Sequence, residues 1–218
     1  MIRKLTITVW TLVLALSIGG SLAIGAEQGK SIKLPAPNME GGRPLMQVLS
    51  ERKSTREFGS KELSLQDLSN LLWAGFGINR QDTGKRTAPS ALNMQEMDIY
   101  VALEKGLYLY DAKNNELQLV VGLDIRGNTG EQPYVDSAPV NLIYVANLSK
   151  MGNIKSKDVD IYSSADAAYI SENVYLYCAS EGLATVVRGW INKESLSKLM
   201  RLRDDQKIIF AQSVGYPK

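Results

Sequence analysis

The chain has 218 residues, with 25 Lys and Arg against 23 Asp and Glu, and it contains no histidine. The absence of histidine excludes catalytic triads and dyads that use an imidazole base, and it removes most familiar zinc sites. The single cysteine, Cys178, excludes an intramolecular disulfide, and its apolar surroundings favour a buried side chain over a nucleophile.

Residues 1–26 have the pattern of a secretory signal peptide. Arg3 and Lys4 precede an uncharged, apolar run that closes on small residues. An uncleaved membrane anchor is the alternative, because the run is just long enough to span a bilayer. Cleavage would remove two of the 25 basic residues and none of the 23 acidic ones, and the mature chain would then have no net charge. We therefore expect an exported, periplasmic or extracytoplasmic protein without the cationic field that non-specific nucleic-acid binding needs.

The N-terminal half of the mature chain predicts an arm followed by two helices. Residues 27–42 are rich in Gly, Pro and Lys and predict the arm, and residues 43–218 predict one domain. Residues 44–52 and 64–77 show helical apolar spacing. The second of these helices begins on a Ser-x-x-Asp capping signal and ends at glycine. Residues 81–90 are polar and predict a loop.

The C-terminal half alternates strands and helices. Strands at residues 98–103 and 107–110 predict a hairpin. The continuous apolar run over 140–146 is typical of a central strand buried on both faces. The remaining predictions are a helix over 164–180, a closing strand over 208–214, and either a helix or a strand over 117–123. The predicted class is therefore α+β, or α/β with a mixed sheet.

Residues 51–58 (ERKSTREF) form a cationic segment. They bring Arg52, Lys53 and Arg56 together with neighbouring hydroxyls such as that of Ser54. Guanidinium, ammonium and short O–H donors are the groups that bind phosphate, although such a cluster can also be a solvated surface. The chain lacks both the G-x-G-x-x-G fingerprint and the P-loop ending, so the usual nucleotide folds are not predicted.

Together with later segments, this cationic segment resembles the FMN-dependent nitroreductase family, specifically its SagB-type dehydrogenase-like branch. The later segments are residues 89–95 (PSALNMQ), 140–146 (VNLIYVA), 179–183 (ASEGL) and 214–217 (VGYP). Each segment alone is weak evidence for the family, but the order and spacing of all five segments together are strong evidence. The resemblance covers about residues 43–218. It implies a nitroreductase-like α+β fold with a mixed, mostly antiparallel sheet, and a homodimer with FMN at the subunit interface.

The resemblance assigns the cationic segment to FMN. Arg52, Lys53 and Ser54 resemble the family's phosphate and ribityl contacts. Arg56 resembles the basic residue near N1 and O2 of the ring. The same family often has basic residues after Gly-Tyr-Pro, where this sequence has only Lys218. Lys218, or alternatively Arg188, would therefore complete the phosphate site.

Further contacts with the ring follow from the same resemblance. Gln132 stands where relatives have another contact to the pyrimidine edge, and a neutral amide there predicts a lower reduction potential. Glu181 and Gly182 resemble the loop whose backbone donates to N5 and O4, where a missing Cβ permits close approach.

A third segment is implied to act between subunits. Pro89, Ser90 and Asn93 resemble residues that reach the flavin of the other subunit. The alternative is that Pro89 and Ser90 form only a loop and that Asn93 is only a cap.

The predicted function is an FMN-dependent oxidoreductase that transfers hydride through flavin N5 by a ping-pong scheme. NAD(P)H is the expected donor, and a nitroaromatic, quinone-like or other conjugated compound is the expected acceptor. No metal and no catalytic acid or base is predicted. One alternative is a SagB-type dehydrogenase that oxidises azoline rings in peptides. Another is a non-catalytic, exported flavin- or ligand-binding protein, since NAD(P)H is scarce outside the cytoplasm.

Overall fold

The computed structural model describes residues 31–218, in which the chain forms nine strands and four α-helices. In chain order they are β1 (Ile32–Lys33), α1 (Leu45–Glu51), α2 (Leu65–Phe76), β2 (Ile78–Arg80), β3 (Lys85–Arg86), β4 (Met97–Leu103), β5 (Gly106–Asp111), β6 (Glu116–Val121), β7 (Val140–Asn147), α3 (Ser156–Glu181), β8 (Ala184–Arg188), α4 (Lys193–Leu199) and β9 (Gln206–Gly215). The predicted signal peptide at residues 1–26 lies outside the described residues, as do residues 27–30 of the predicted arm.

Seven strands of the described chain form one sheet in the order β1-β6-β5-β4-β7-β9-β8, and each neighbouring pair is antiparallel. The strand β7 lies between β4 and β9. Leu142 and Tyr144 pack into the core on one face of the sheet, and Ile143 and Val145 pack into the core on the other. The predicted central strand, buried on both faces, is therefore confirmed, and so is the α+β class with a mostly antiparallel sheet.

Helices cover both faces of the sheet. The helices α2 and α3 pack on one face, and α4 packs on the other. The predicted start of α2 is confirmed, because Ser64 Oγ accepts a hydrogen bond from Asp67 N at 3.0 Å. Gly75 allows α2 to approach α3 closely, since a Cβ at this position would lie 3.2 Å from Val174 Cγ2.

The helix α3 begins earlier than predicted, at Ser156 rather than Ser164. Its first two turns are mainly polar and partly exposed, so they lack the apolar spacing that marks the rest of the helix. Near its C-terminal end, Cys178 is buried, and burial raises the pKa of its thiol above the ordinary range. The interpretation of Cys178 as a buried side chain is confirmed.

Three other segments differ from, or decide between, the sequence predictions. Residues 32–33 of the predicted arm pair with β6 and extend the sheet. The segment 117–123, for which the sequence allowed a helix or a strand, is a strand as far as Val121, where β6 ends. The predicted loop over 81–90 includes β3, which pairs with β2 in a separate hairpin. Among the described residues, no helix has both the length and the apolar composition needed to cross a bilayer.

Candidate functional site

Two cavities open beside β8, one at each end of the strand. The larger, of about 600 Å³, is lined by Ala184 and Thr185 at the start of β8. The smaller, of about 340 Å³, is lined by Arg188 and Gly189 at its end. Tyr175 of α3 lines both cavities. Because a strand rises about 3.3 Å per residue, β8 separates the two ends by roughly 13 Å. This arrangement fits an elongated ligand that lies along the strand.

The larger cavity is the cationic end of the site. Lys53 lines it, and so do Arg43 and Glu51, which form an ion pair with each other. Arg43 is fixed by Ser180 at the end of α3, where its backbone N donates to Ser180 Oγ and its Nε donates to Ser180 O, both at 3.0 Å. Lys218 directly follows Pro217, which lines the same cavity. The structure therefore brings Lys53 and the neighbourhood of Lys218 to one cavity.

Tyr175 connects the cationic segment to β8. Its hydroxyl is hydrogen-bonded to Ser54 Oγ at 2.8 Å and accepts from Val187 N at 2.9 Å. The guanidinium of Arg52 lies 5.2 Å from the centroid of the Tyr175 ring. Since the Tyr175 hydroxyl can donate to Ser54, the proton of the Ser54 hydroxyl can point to a ligand.

The next residues also dock on β8. Thr55 N donates to Thr185 O at 2.9 Å, which aligns the segment with the start of the strand. Arg56 follows and is exposed to solvent. The structure thus joins Arg52, Lys53 and Ser54 to the site and leaves Arg56 at its margin.

Gln132 lies at the opposite end of β8, beside Arg188. A Cβ on Gly130 would overlap Arg188 Nη1 and would lie 2.6 Å from Gln132 Oε1, so glycine at this position permits the two side chains to come together. Within the described residues, Gln132 Oε1 is buried and has no hydrogen-bond partner. A buried polar atom without a partner costs about 1–3 kcal/mol. This oxygen can therefore accept a hydrogen bond from a further N–H or O–H donor.

Arg188 is buried and is held by neutral groups. It donates to the carbonyl of Thr129, to Thr129 Oγ1 at 2.9 Å, to Asn141 Oδ1, and to Ser213 Oγ at 3.2 Å. Burial lowers the pKa of Arg188 to about 10, so the side chain remains charged at neutral pH. The alternative that Arg188 completes a phosphate site with Lys53 is wrong, because the two residues belong to opposite ends of β8 and these acceptors occupy the guanidinium.

Gly182 and Gln132, both predicted as ring contacts, lie at different ends of the site. Gly182 ends α3 with a positive φ of 71° and lines the larger cavity with Lys53. Its neighbour Glu181 is the last residue of that helix and is exposed. The glycine at the Gln132 end is Gly189, where a Cβ would have Phe210 Cδ1 as its nearest neighbour at 3.9 Å.

The loop with Pro89, Ser90 and Asn93 lines neither cavity beside β8. Ser90 Oγ accepts from Gln95 N at 3.0 Å and so closes the loop on itself, without capping the short 3-10 turn at residues 91–93. Leu92 and Asn93 have positive φ angles of 51° and 55°, and Leu92 is 81% exposed. The loop therefore presents an exposed tip in a conformation that few residues adopt without support.

The support for this loop comes from two charged side chains. Asp166 of α3 accepts from Ala91 N at 2.9 Å. Arg86 donates to Gln95 Oε1 at 2.9 Å and to Phe76 O at 3.1 Å. Arg86 is half-buried against Phe76, and its guanidinium carbon lies 4.8 Å from the centroid of the Phe76 ring.

The sequence profile described as "Nitroreductase family" matches residues 49–216. The chain belongs to the nitroreductase family. The crystal structure of a predicted nitroreductase of Ralstonia eutropha JMP134 superposes on this chain with a TM-score of 0.84, over 88% of this chain and 91% of that chain. The two sequences are 44% identical. A predicted nitroreductase of Methanocaldococcus jannaschii is 27% identical over 81% of this chain and 93% of the relative. The NADPH:FMN oxidoreductase of Vibrio harveyi, solved in complex with NAD+, is 17% identical and shares the fold, with a TM-score of 0.60 over 80% of this chain and 69% of that chain.

Family membership makes the chain an oxidoreductase, and it directs attention to site residues that the sequence did not reveal. Arg43 reaches the larger cavity only because the arm crosses from the sheet edge to the end of α3. Tyr175 gave no signal beyond helical spacing, and Gly189 follows a strand that was not predicted. All three depend on contacts between distant parts of the chain, for which the sequence carries no local signal.

One further pair lies behind the loop at residues 89–95 of this nitroreductase-family chain. Glu96 is fully buried, and in the described part of the chain neither of its carboxyl oxygens has a hydrogen-bond partner. Burial, followed by the nearby charge of Asp166, raises the pKa of Glu96 to about 7. Burial raises the pKa of Asp166 as well. The two carboxyl groups therefore form a buried pair in which ionisation of both groups at once is unfavourable.

Proposed function

We propose that this protein binds FMN along β8 and transfers hydride between NAD(P)H and a conjugated acceptor such as a nitroaromatic or a quinone. The observations that carry the proposal are the two cavities that share Tyr175 as a wall, with Lys53 lining one, and the partnerless Gln132 Oε1 beside Arg188, which lines the other. FMN has the matching shape and chemistry, since its phosphate is anionic and its ring carries an N–H donor.

The larger cavity is the proposed phosphate end. Lys53 supplies an ammonium group there, and Ser54, bonded to the cavity-lining Tyr175, has a hydroxyl proton that it does not use in that bond. Arg43, which is ion-paired with Glu51, also lines this cavity, and Lys218 directly follows Pro217 on its wall. These donors are the kinds that hold phosphate most strongly.

The smaller cavity is the proposed ring end. Gln132 Oε1 would accept from the ring N–H, and Gly189 leaves room for a close approach of the backbone. We therefore propose Gly189, in place of Gly182, as the glycine beside the ring. When bound, FMN supplies the hydride chemistry at N5, taking hydride from one substrate and giving it to the next. In this proposal Gln132 and Gly189 would hold and orient the ring.

The active unit is proposed to be a homodimer. Large apolar side chains on α1 and α3 are between 46% and 76% exposed, which favours a covered surface in the assembly. The exposed loop with Pro89, Ser90 and Asn93 would reach the FMN of the other subunit. The apolar side chains in question are Leu45, Met46, Leu49, Ile161 and Tyr169.

The finer parts of the proposal rest on sequence. Export rests on residues 1–26, and it would require a donor other than cytoplasmic NAD(P)H. Membership of the SagB-type branch, and with it oxidation of azoline rings in peptides, rests on the motifs at residues 52–58 and 89–95.

Purification and anaerobic titration test the proposal. The mature chain is expected to be yellow or to take up added FMN, and NADPH or NADH is expected to bleach the flavin absorbance. Acceptors would then be compared, with an azoline-containing peptide in the panel. A chain that takes up no FMN contradicts the proposal, and one that binds FMN but is reduced by no donor is a binding protein instead.

A further inference from the structure

Arg188 is a buried cation that has neutral partners. Its side chain is 5% exposed, and its acceptors belong to Thr129, Asn141 and Ser213. Among residues 31–218, no carboxylate forms an ion pair with it. Moving a charge out of water is unfavourable unless an opposite charge or a ligand compensates. The charge of Arg188 is therefore available to a ligand.

The position of this charge is specific. Arg188 lines the smaller cavity beside Gly189 and Tyr175. Glu172 is the acidic residue on the same cavity wall, but it is exposed on α3 and does not pair with Arg188. The guanidinium also adjoins Gln132, because Gly130 has no Cβ between them.

We propose that Arg188 tunes the cofactor: its buried charge favours reduced FMN over oxidised FMN, while its N–H groups position the loop that carries Gln132. The proposal rests on the proposed FMN function. A neutral Gln132 by itself predicts a lower reduction potential, and Arg188 supplies a positive charge beside that amide. The chain thus keeps a cation at the ring end, although the position that contacts the pyrimidine edge is neutral.

The charge and the positioning role predict different outcomes. Reduction adds electrons to the ring, so a nearby cation in a partly dry site stabilises the reduced form selectively. Positioning of the loop affects binding of both redox forms. The ratio of the two dissociation constants therefore reports on the charge, and by linkage its logarithm is proportional to the change in reduction potential on binding.

Three variants separate these roles. Arg188→Met removes the charge and the hydrogen bonds, whereas Arg188→Lys keeps the charge and loses most of the hydrogen bonds. Thr129→Val removes one acceptor of Arg188 and leaves the charge in place. Midpoint potentials of the FMN-loaded proteins would be measured by equilibration with a reference dye.

We expect Arg188→Met to weaken the binding of reduced FMN, relative to that of oxidised FMN, by roughly tenfold. For a two-electron couple this corresponds to a midpoint potential about 30 mV lower. Arg188→Lys and Thr129→Val are expected to stay near the wild-type potential. If Arg188→Met does not fold, Arg188→Gln replaces it, because Gln is uncharged but still forms hydrogen bonds.

Two results would overturn the tuning role. One is a wild-type potential in the uncharged variant, and the other is an equal shift in Thr129→Val, which would assign the effect to loop positioning. Wild-type protein that fails to bind FMN contradicts the proposed function itself and is recognised before any variant is compared.

Discussion

Ser54 and Tyr175, which are 121 residues apart in the chain, are hydrogen-bonded to each other at 2.8 Å through their hydroxyl groups. The same Tyr175 hydroxyl accepts from Val187 N at 2.9 Å. One side chain of α3 therefore holds the cationic segment against β8, between the two cavities. This contact ties the proposed phosphate end to the strand that separates it from the proposed ring end.

Tyr175→Phe tests this contact. The substitution leaves Val187 N–H without its acceptor and releases Ser54, so we expect a loss of about 1 kcal/mol in both FMN binding and folding stability. Fluorescence titration with FMN and thermal unfolding would measure the two effects. Tyr177→Phe is the matched control, because Tyr177 lies on the same helix but lines neither cavity beside β8. Equal effects in the two variants would remove Tyr175 from the site.

Lys53→Ala tests the phosphate end. We expect FMN to bind roughly tenfold more weakly, because a charge-assisted contact to the phosphate is lost. Riboflavin lacks the phosphate, so its affinity should not change. Lys198→Ala removes an exposed lysine of α4 and serves as the control. A loss of riboflavin affinity as large as that of FMN would show that Lys53 acts on the fold rather than on the phosphate.

Local signals in the sequence were sufficient for much of the fold. The helix after Ser64 has a capping residue and regular apolar spacing, and the strand β7 is a continuous apolar run, so both could be predicted. The site is different, because its parts meet only after folding. Glu181-Gly182 and Arg188-Gly189 are both a charged residue followed by glycine. Their positions at opposite ends of β8 distinguish them, and no local pattern encodes that separation.

Long-range contacts also explain the roles that the sequence left open. Arg188 is a single charge at the end of a short apolar strand, and such a residue usually reaches solvent. Its burial becomes possible through Thr129, Asn141 and Ser213, whose oxygen atoms come from three other parts of the chain.

Glu96→Gln is expected to change how stability depends on pH. The pKa of Glu96 is raised to about 7 in the folded protein, so the fold favours the protonated form. Its contribution to stability is therefore fully present below the ordinary carboxyl range and is lost as the pH rises through about 7. A permanently neutral Gln should remove this loss and should stabilise the protein at pH 8 by roughly 1–3 kcal/mol relative to wild type.

Urea unfolding at several pH values between 5 and 8 measures the effect of Glu96→Gln. The exposed Glu62→Gln serves as the control and should keep the wild-type dependence on pH. Parallel curves for wild type and Glu96→Gln would mean that Glu96 does not titrate in this range.

Mixed dimers test whether the loop at residues 89–95 acts on the partner. Asn93→Gly removes the side chain while retaining a residue suited to the positive φ of 55°, so we expect weaker FMN binding without loss of stability. A dimer of one Asn93→Gly subunit and one Lys53→Ala subunit then has one site with both substitutions and one with neither, provided that the loop acts in trans. Co-refolding equal amounts should restore full-affinity FMN binding at about a quarter of all sites. If Asn93 acts within its own subunit, every site keeps one substitution, and mixing restores none.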